Sequence, residues 1–186
     1  MRILVTGGAG FIGSHFAERL LREGHEVAVL DNLDPYYDAR IKERNLGRCH
    51  EAGGDRFEFV EGSVTDEGLV DSLVADVEFV YHEAAQAGVR TSVEDPKKSH
   101  EINTTGLLNV LLTAAERGVE RVVNASSSSV YGEADYLPYD EVHPTRPQSP
   151  YAVTKLATEH YCRVWNDLYD VPTVNLRYFT VYGPRM

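Results

Sequence analysis

Residues 1–16, Met1-Arg-Ile-Leu-Val-Thr-Gly-Gly-Ala-Gly-Phe-Ile-Gly-Ser-His-Phe16, read as one strand, one glycine turn and the opening of one helix. Ile3, Leu4 and Val5 form a short apolar run suited to a strand covered on both faces, and Thr6 and Gly7 end it. Gly7, Gly10 and Gly13 recur at three-residue spacing, while Gly8, Gly10 and Gly13 satisfy G-x-G-x-x-G. Glycines so placed permit a tight turn and let a pyrophosphate come close to the backbone. A helix starting near Phe11 aims the unpaired N–H groups of Phe11, Ile12 and Gly13 at any anion over the turn, along with the positive end of its dipole.

A glycine pattern alone also describes a flexible loop, so its setting has to decide. Downstream lies an amphipathic helix carrying Ile12, Phe16, Leu20 and Leu21, then a strand from Glu26 to Leu30 that ends in Asp31. A carboxylate at the end of the second strand, about twenty residues past the glycines, accepts hydrogen bonds from both adenosine ribose hydroxyls and repels a 2′-phosphate. The expected ligand is a dinucleotide without that phosphate, NAD, with Asp31 and Asn32 at its adenosine end.

The 186 residues suit one domain that buries a core without metals or disulfides. No apolar run approaches a membrane span, and the start shows no signal peptide, which makes the cytoplasm the expected compartment. Cys49 and Cys162 form no C-x-x-C and read as reduced structural thiols, neither bridge nor metal site. The formal charge of −11 argues against nucleic acid and anionic lipid as partners.

Further along, a polar, aromatic loop, Asn32 to Asp38, leads to a helix from Ala39 to about Glu51. Phe57 to Glu61 reads as the third strand, followed by a helix through about Val74 capped by Thr65 or Asp66. Phe79 to His82 is the fourth strand; small residues after it, including Ala84 and Ala85, would let a ligand pass close to the backbone. Asn103 to Arg117 is a helix whose apolar residues spread too widely to face a sheet alone, so part of it is expected against another subunit. Val122 to Ala125 is the fifth strand and leads into four serines, Ser126 to Ser129. Ser149 and Pro150 open a helix from Tyr151 to about Tyr169, and Thr173 to Tyr178 is the sixth strand. The alternation predicts an α/β fold, a doubly wound six-stranded parallel sheet of Rossmann type flanked by helices over residues 1–186, with its ligand crevice at the carboxyl ends of the strands.

Tyr151 and Lys155 stand four apart at a helix start and share a face. The spacing is commonplace, and a solvated lysine is the plain alternative. Position favours chemistry, because the pair follows the strand that ends in the serine cluster and so lies on the same rim as the glycine turn.

Thr6-Gly-Gly-Ala-Gly-Phe-Ile-Gly13, Asp31-Asn32, Ser126 to Ser129 with Val130-Tyr-Gly132, Tyr151-x-x-x-Lys155 and Arg177-Tyr-Phe-Thr-Val-Tyr-Gly-Pro184 together resemble the extended short-chain dehydrogenase/reductase family, the NAD-dependent epimerases and dehydratases of nucleotide sugars. The resemblance implies that Ser127, Tyr151 and Lys155 are catalytic, Tyr151 as acid and base and Lys155 on the nicotinamide ribose. It also implies cofactor contacts from Ser63, Val64, Ala84, Ala85 and Tyr178, a UDP-sugar substrate, and a homodimer built from two helices per subunit, the Asn103 to Arg117 helix and the Tyr151 helix with its Leu156, Tyr161 and Trp165. Populating a phenolate at pH 7 costs about 4 kcal/mol for a free tyrosine, which a nearby ammonium and a cationic nicotinamide would offset.

Dehydratases of this family resemble Thr-Asp-Glu-Val-Tyr-Gly, whereas Ser128 and Ser129 stand in place of the acids here, which favours 4-epimerisation. Ala84 to Arg90, Asp34-Pro-Tyr-Tyr-Asp38 and Thr180 look most like UDP-glucuronate 4-epimerases, with UDP-glucose 4-epimerases close by. Arg90, Ser127, Ser128 and Thr180 are the expected sugar contacts, although Arg90 also reads as an exposed structural arginine. Ser63 departs from an aspartate common in relatives. Family chains run longer, so the C-terminal substrate domain is expected to be largely absent here. A related decarboxylase, dehydratase or reductase, or a non-catalytic NAD-binding module, stays open at this point.

Overall fold

A computed structural model describes residues 1–186. Its six strands are β1 (Arg2–Thr6), β2 (Glu26–Asp31), β3 (Phe57–Glu61), β4 (Phe79–His82), β5 (Arg121–Ser127) and β6 (Thr173–Tyr178). They form one sheet in the order β3-β2-β1-β4-β5-β6, and every neighbouring pair is parallel. The direction of winding reverses between β1 and β4, where an open α/β sheet leaves a crevice.

Helices cover both faces. On one, α1 (Phe11–Arg22) and α2 (Ala39–Gly53) enclose Ile3, Val5, Val27 and Val29 with Ala17, Leu20, Leu21 and Cys49. On the other, Leu4, Ala28, Leu30, Val80 and Val122 pack under α3 (Glu67–Val74), α6 (Gly106–Arg117) and α7 (Pro150–Tyr169). Odd and even positions of β1 and β2 thus enter different cores, which is why these strands are apolar throughout instead of alternating. Asp66 caps α3 by accepting from Leu69 N at 3.0 Å, and Ser149 caps α7 by accepting from Ala152 N at 3.1 Å.

The structure revises the sequence reading in three places. The expected helix from Asn103 begins as a turn of π-helix, Glu101–Thr105, preceded by two short helices, α4 (Val89–Glu94) and α5 (Pro96–His100). A single widened turn of this kind recurs at functional sites. Second, β5 runs on through Ser127, so two of the four serines lie on the strand. Third, the apolar surplus of α6 is mostly internal: Leu107, Val110, Leu111 and Ala114 are buried, and of the apolar side chains only Leu112 is prominently exposed. Trp165, expected on a subunit contact with Leu156 and Tyr161, is buried in the core beside Cys162 and Val171, because the end of α7 turns back through Asp170 onto β6. Tyr161 packs against that same cluster and Leu156 is half-buried. Both thiols are buried and free, and burial pushes Cys49 up to about 11 and Cys162 up to about 12.

Candidate active site

A cavity of about 400 Å³ runs along the carboxyl ends of the strands. Its floor is the β1–α1 turn. Gly7 has φ +67, and a Cβ there would meet Ala84 N at 2.7 Å. A Cβ on Gly13 would collide with the carbonyl of Gly7, so that glycine lets α1 start directly under the turn. Gly10, at the N-cap, supplies no side-chain cap. The first N–H groups of α1, on Phe11, Ile12 and Gly13, have no partner inside the helix and face the cavity these residues line.

Asp31 stands at one end, almost fully buried. It accepts from Ala9 N at 3.1 Å, Leu33 N at 2.9 Å and Lys42 Nζ at 3.0 Å. The buried Lys42 escaped the sequence reading, as did Tyr37, whose ring centroid lies 5.6 Å from that ammonium. Burial and the Asp31 charge raise the Tyr37 phenol above its usual range. Asn32, Ser63 and Val64 line the same end, and Ser63 Oγ pairs with Thr65 Oγ1 at 2.8 Å.

At the other end are Ser127, Tyr151, Lys155 and Tyr178, with Ala84 and Ala85 between. Tyr151 follows Pro150 at the start of α7; Lys155, one turn on, donates to Ala125 O at 2.6 Å and sits 5.9 Å from the Tyr151 ring centroid. Burial brings Lys155 down to about 8, opposed by the charge of Glu83. Burial also raises the Tyr151 phenol above 10, while its hydrogen bond with Ser127 acts in the opposite direction. The expected offset joins the lysine with a cationic nicotinamide; with the protein's own groups alone, burial prevails at Tyr151.

A buried hydrogen-bond chain fixes this end. Asn103, on the π-turn, accepts from Gln86 N at 2.7 Å and donates to Thr154 Oγ1 at 3.0 Å. Thr154 in turn donates to Tyr151 O at 2.7 Å, and Tyr151 N donates to Ser92 Oγ at 3.0 Å. The β4 loop, the π-turn and α7 are thereby tied together around Tyr151. Deeper, Thr6 Oγ1 accepts from Ala84 N at 3.2 Å and lies 3.0 Å from His82 Nδ1; burial holds His82 down at about 3, so it is neutral. No local pattern marks Asn103 or Lys42, since their partners are distant in sequence.

All the residues expected at the cofactor, Gly7, Gly10, Phe11, Ile12, Gly13, Asp31, Asn32, Ser63, Val64, Ala84, Ala85, Tyr151, Lys155 and Tyr178, lie on this one wall, and Ser127 joins them. Of the expected sugar contacts, Ser127 alone lines the cavity. Arg90 is exposed on α4 and Thr180 is exposed past β6, while Ser128 sits in the 3-10 turn after β5; none of the three lines the cavity.

A family model described as the NAD dependent epimerase/dehydratase family matches residues 3–186. A UDP-glucose 4-epimerase of Mycolicibacterium smegmatis is 41% identical over 188 residues, covering 100% of this chain and 58% of that protein. Among solved structures, the UDP-glucose 4-epimerase of Thermus thermophilus in complex with NAD is 43% identical with a TM-score of 0.86, covering 100% of this chain and 57% of that one. The UDP-glucuronic acid 4-epimerase of Bacillus cereus, in complex with UDP-glucuronic acid and NAD, is 37% identical with a TM-score of 0.92, covering 100% and 58%. The chain spans about half the length of the curated relatives it matches.

Proposed function

This chain belongs to the NAD dependent epimerase/dehydratase family, and from that premise we propose that residues 1–186 form the NAD-binding unit of a UDP-sugar 4-epimerase, with UDP-glucuronate the first candidate substrate and UDP-glucose the second. One observation carries the reading: a single cavity holds the glycine turn and Asp31 at one end and Ser127, Tyr151 and Lys155 at the other. Its two differently equipped ends suit a dinucleotide, and the Asp31 carboxylate suits one with a free 2′-hydroxyl.

Bound NAD supplies a hydride acceptor that can give back what it takes. The residues do the rest. The N–H groups of Phe11, Ile12 and Gly13 hold the pyrophosphate, and Asp31 accepts from the adenosine ribose. Lys155 donates to the nicotinamide ribose and, with the cationic ring, draws the Tyr151 phenol down from the raised value that burial imposes. Tyr151 then takes the proton of the sugar 4-hydroxyl, which Ser127 orients, and returns it once the ketone has presented its other face. Serines at 128 and 129, where a dehydratase would need acids, favour epimerisation over loss of water.

The sugar lies over the Tyr151 end of the cavity. Arg90 and Thr180, exposed beyond the cavity rim, are available to such a complex. No helix is long and apolar enough to cross a membrane, and a cytoplasmic homodimer is the assembly we expect. The test is a product assay on a family-length version of the chain with UDP-glucuronate, UDP-glucose and their 4-epimers; formation of a dehydrated or decarboxylated product, or of none, would replace this reading.

A further inference from the structure

Glu83 is the cavity residue that the reading above leaves without a task. It directly follows β4, and Tyr178 Oη, at the end of β6, donates to Glu83 Oε1 at 2.9 Å. Its carboxylate lines the same end of the cavity as Tyr151, Lys155 and Ser127. The three carboxylates lining the cavity are differently served: Asp31 receives two backbone N–H groups and an ammonium and Asp34 receives the ammonium of Lys98 at 2.9 Å, whereas Glu83 has one hydrogen-bond donor, a neutral phenol. Burial raises the Glu83 carboxyl above the usual range, and the Tyr178 hydrogen bond and the Lys155 charge oppose that rise. A carboxylate so enclosed and so thinly partnered is stabilised by any cation that enters beside it.

We propose that Glu83 makes this end of the cavity selective for the cationic, oxidised nicotinamide ring over the neutral, reduced one. The inference rests on the NAD reading above, with the nicotinamide at the Tyr151 end. The charged group facing Glu83 is Lys155, on α7; His82 is neutral, and burial and the Glu83 charge keep the Tyr178 phenol protonated. A second positive charge therefore meets an attraction that a neutral ring does not. The consequence for a 4-epimerase is direct: the hydride removed from the sugar carbon, which carries the electron pair of the broken C–H bond, is held less firmly, so it returns to that carbon before the ketone escapes.

The experiment titrates NAD⁺ and NADH separately into the chain, freed of co-purifying cofactor, and into Glu83→Gln. Glutamine keeps an acceptor for Tyr178 and removes only the charge. The variant should bind NAD⁺ about tenfold more weakly while NADH affinity moves by no more than about twofold. Equal weakening of both forms, or an unchanged ratio, would overturn the inference and leave Glu83 a structural partner of Tyr178. Tyr178→Phe, which removes the donor and keeps the charge, should hold the ratio of affinities at or above that of the parent chain; a fall would also overturn it. A parent chain that binds neither form defeats the NAD reading and this inference together, whereas binding with an unmoved ratio defeats this inference alone.

Discussion

Lys42 Nζ donates to Asp31 Oδ1 at 3.0 Å, and both side chains are less than a tenth exposed. The pair sits where the adenosine ribose is expected, so the acid that should repel a 2′-phosphate is backed by a cation that would welcome one. With the Asp31 carboxylate engaging Lys42 and facing the ribose, NAD should bind far better than NADP. Asp31→Ala should narrow or reverse that gap, because it removes the repulsion and releases Lys42. The same change leaves a buried ammonium unpaired and should cost about 3 kcal/mol of stability. Parallel titrations with both cofactors check the first part and chemical denaturation the second; equal affinities in the parent chain would refute it.

The Tyr151 phenol acts on the sugar and not on the phosphates, which separates binding from turnover. Tyr151→Phe should leave NAD affinity nearly unchanged, yet in a family-length version it should lower epimerisation by about 10²–10⁴-fold. Ser127→Ala should do less harm, since it removes one hydrogen bond to the hydroxyl and to the phenol. The 186-residue chain itself should bind NAD and turn over UDP-glucuronate negligibly, because the sugar must be held in near contact with the ring. Robust activity from the short chain, or a fully active phenylalanine variant, would be the contrary result.

Lys155 carries a stability cost that has a pH signature. Its folded value is about 8, below the ordinary 10.5. Between pH 8 and 10.5 the unfolded chain holds a proton that the folded chain has shed, so this group makes stability rise with pH across that window, and below pH 8 the full penalty of about 3 kcal/mol applies. Lys155→Met should remove the rise. At pH 7 it should stabilise the protein by about 1–2 kcal/mol after the hydrogen bond to Ala125 O is lost. Denaturation curves from pH 7 to 10.5 measure both; a variant that is less stable at pH 7 contradicts the argument.

A homodimer is expected through α6 and α7, which pack side by side. With Trp165 withdrawn into the core, the apolar side chains left for a partner include Leu112, Val164 and Leu168. Light scattering at micromolar concentration should give twice the chain mass, and Leu112→Glu with Val164→Glu should halve it. A monomeric parent chain would count against the contact.

Local and periodic signals made much of this protein legible. The glycine spacing, the acid closing β2, the alternation of six strands with helices and the Ser149–Pro150 start of α7 each depend on residues a few positions apart, and backbone sterics and capping act over that range. Those signals sufficed to bring Gly7, Asp31, Ser127, Tyr151 and Lys155 to one rim, since a parallel sheet sends every strand's carboxyl end the same way. Tertiary structure alone decided the rest. Glu83 meets Tyr178 across 95 positions, and Asn103 meets Thr154 across 51; no spacing rule encodes such pairs. Periodicity identified the apolar stripe of α7 but not what covers it, so Trp165 was assigned to a partner when its own sheet claims it. The protonation of Tyr151 also belongs to the fold: sequence placed a lysine nearby, but burial depends on everything packed around the phenol, and here it outweighs the hydrogen bond with Ser127.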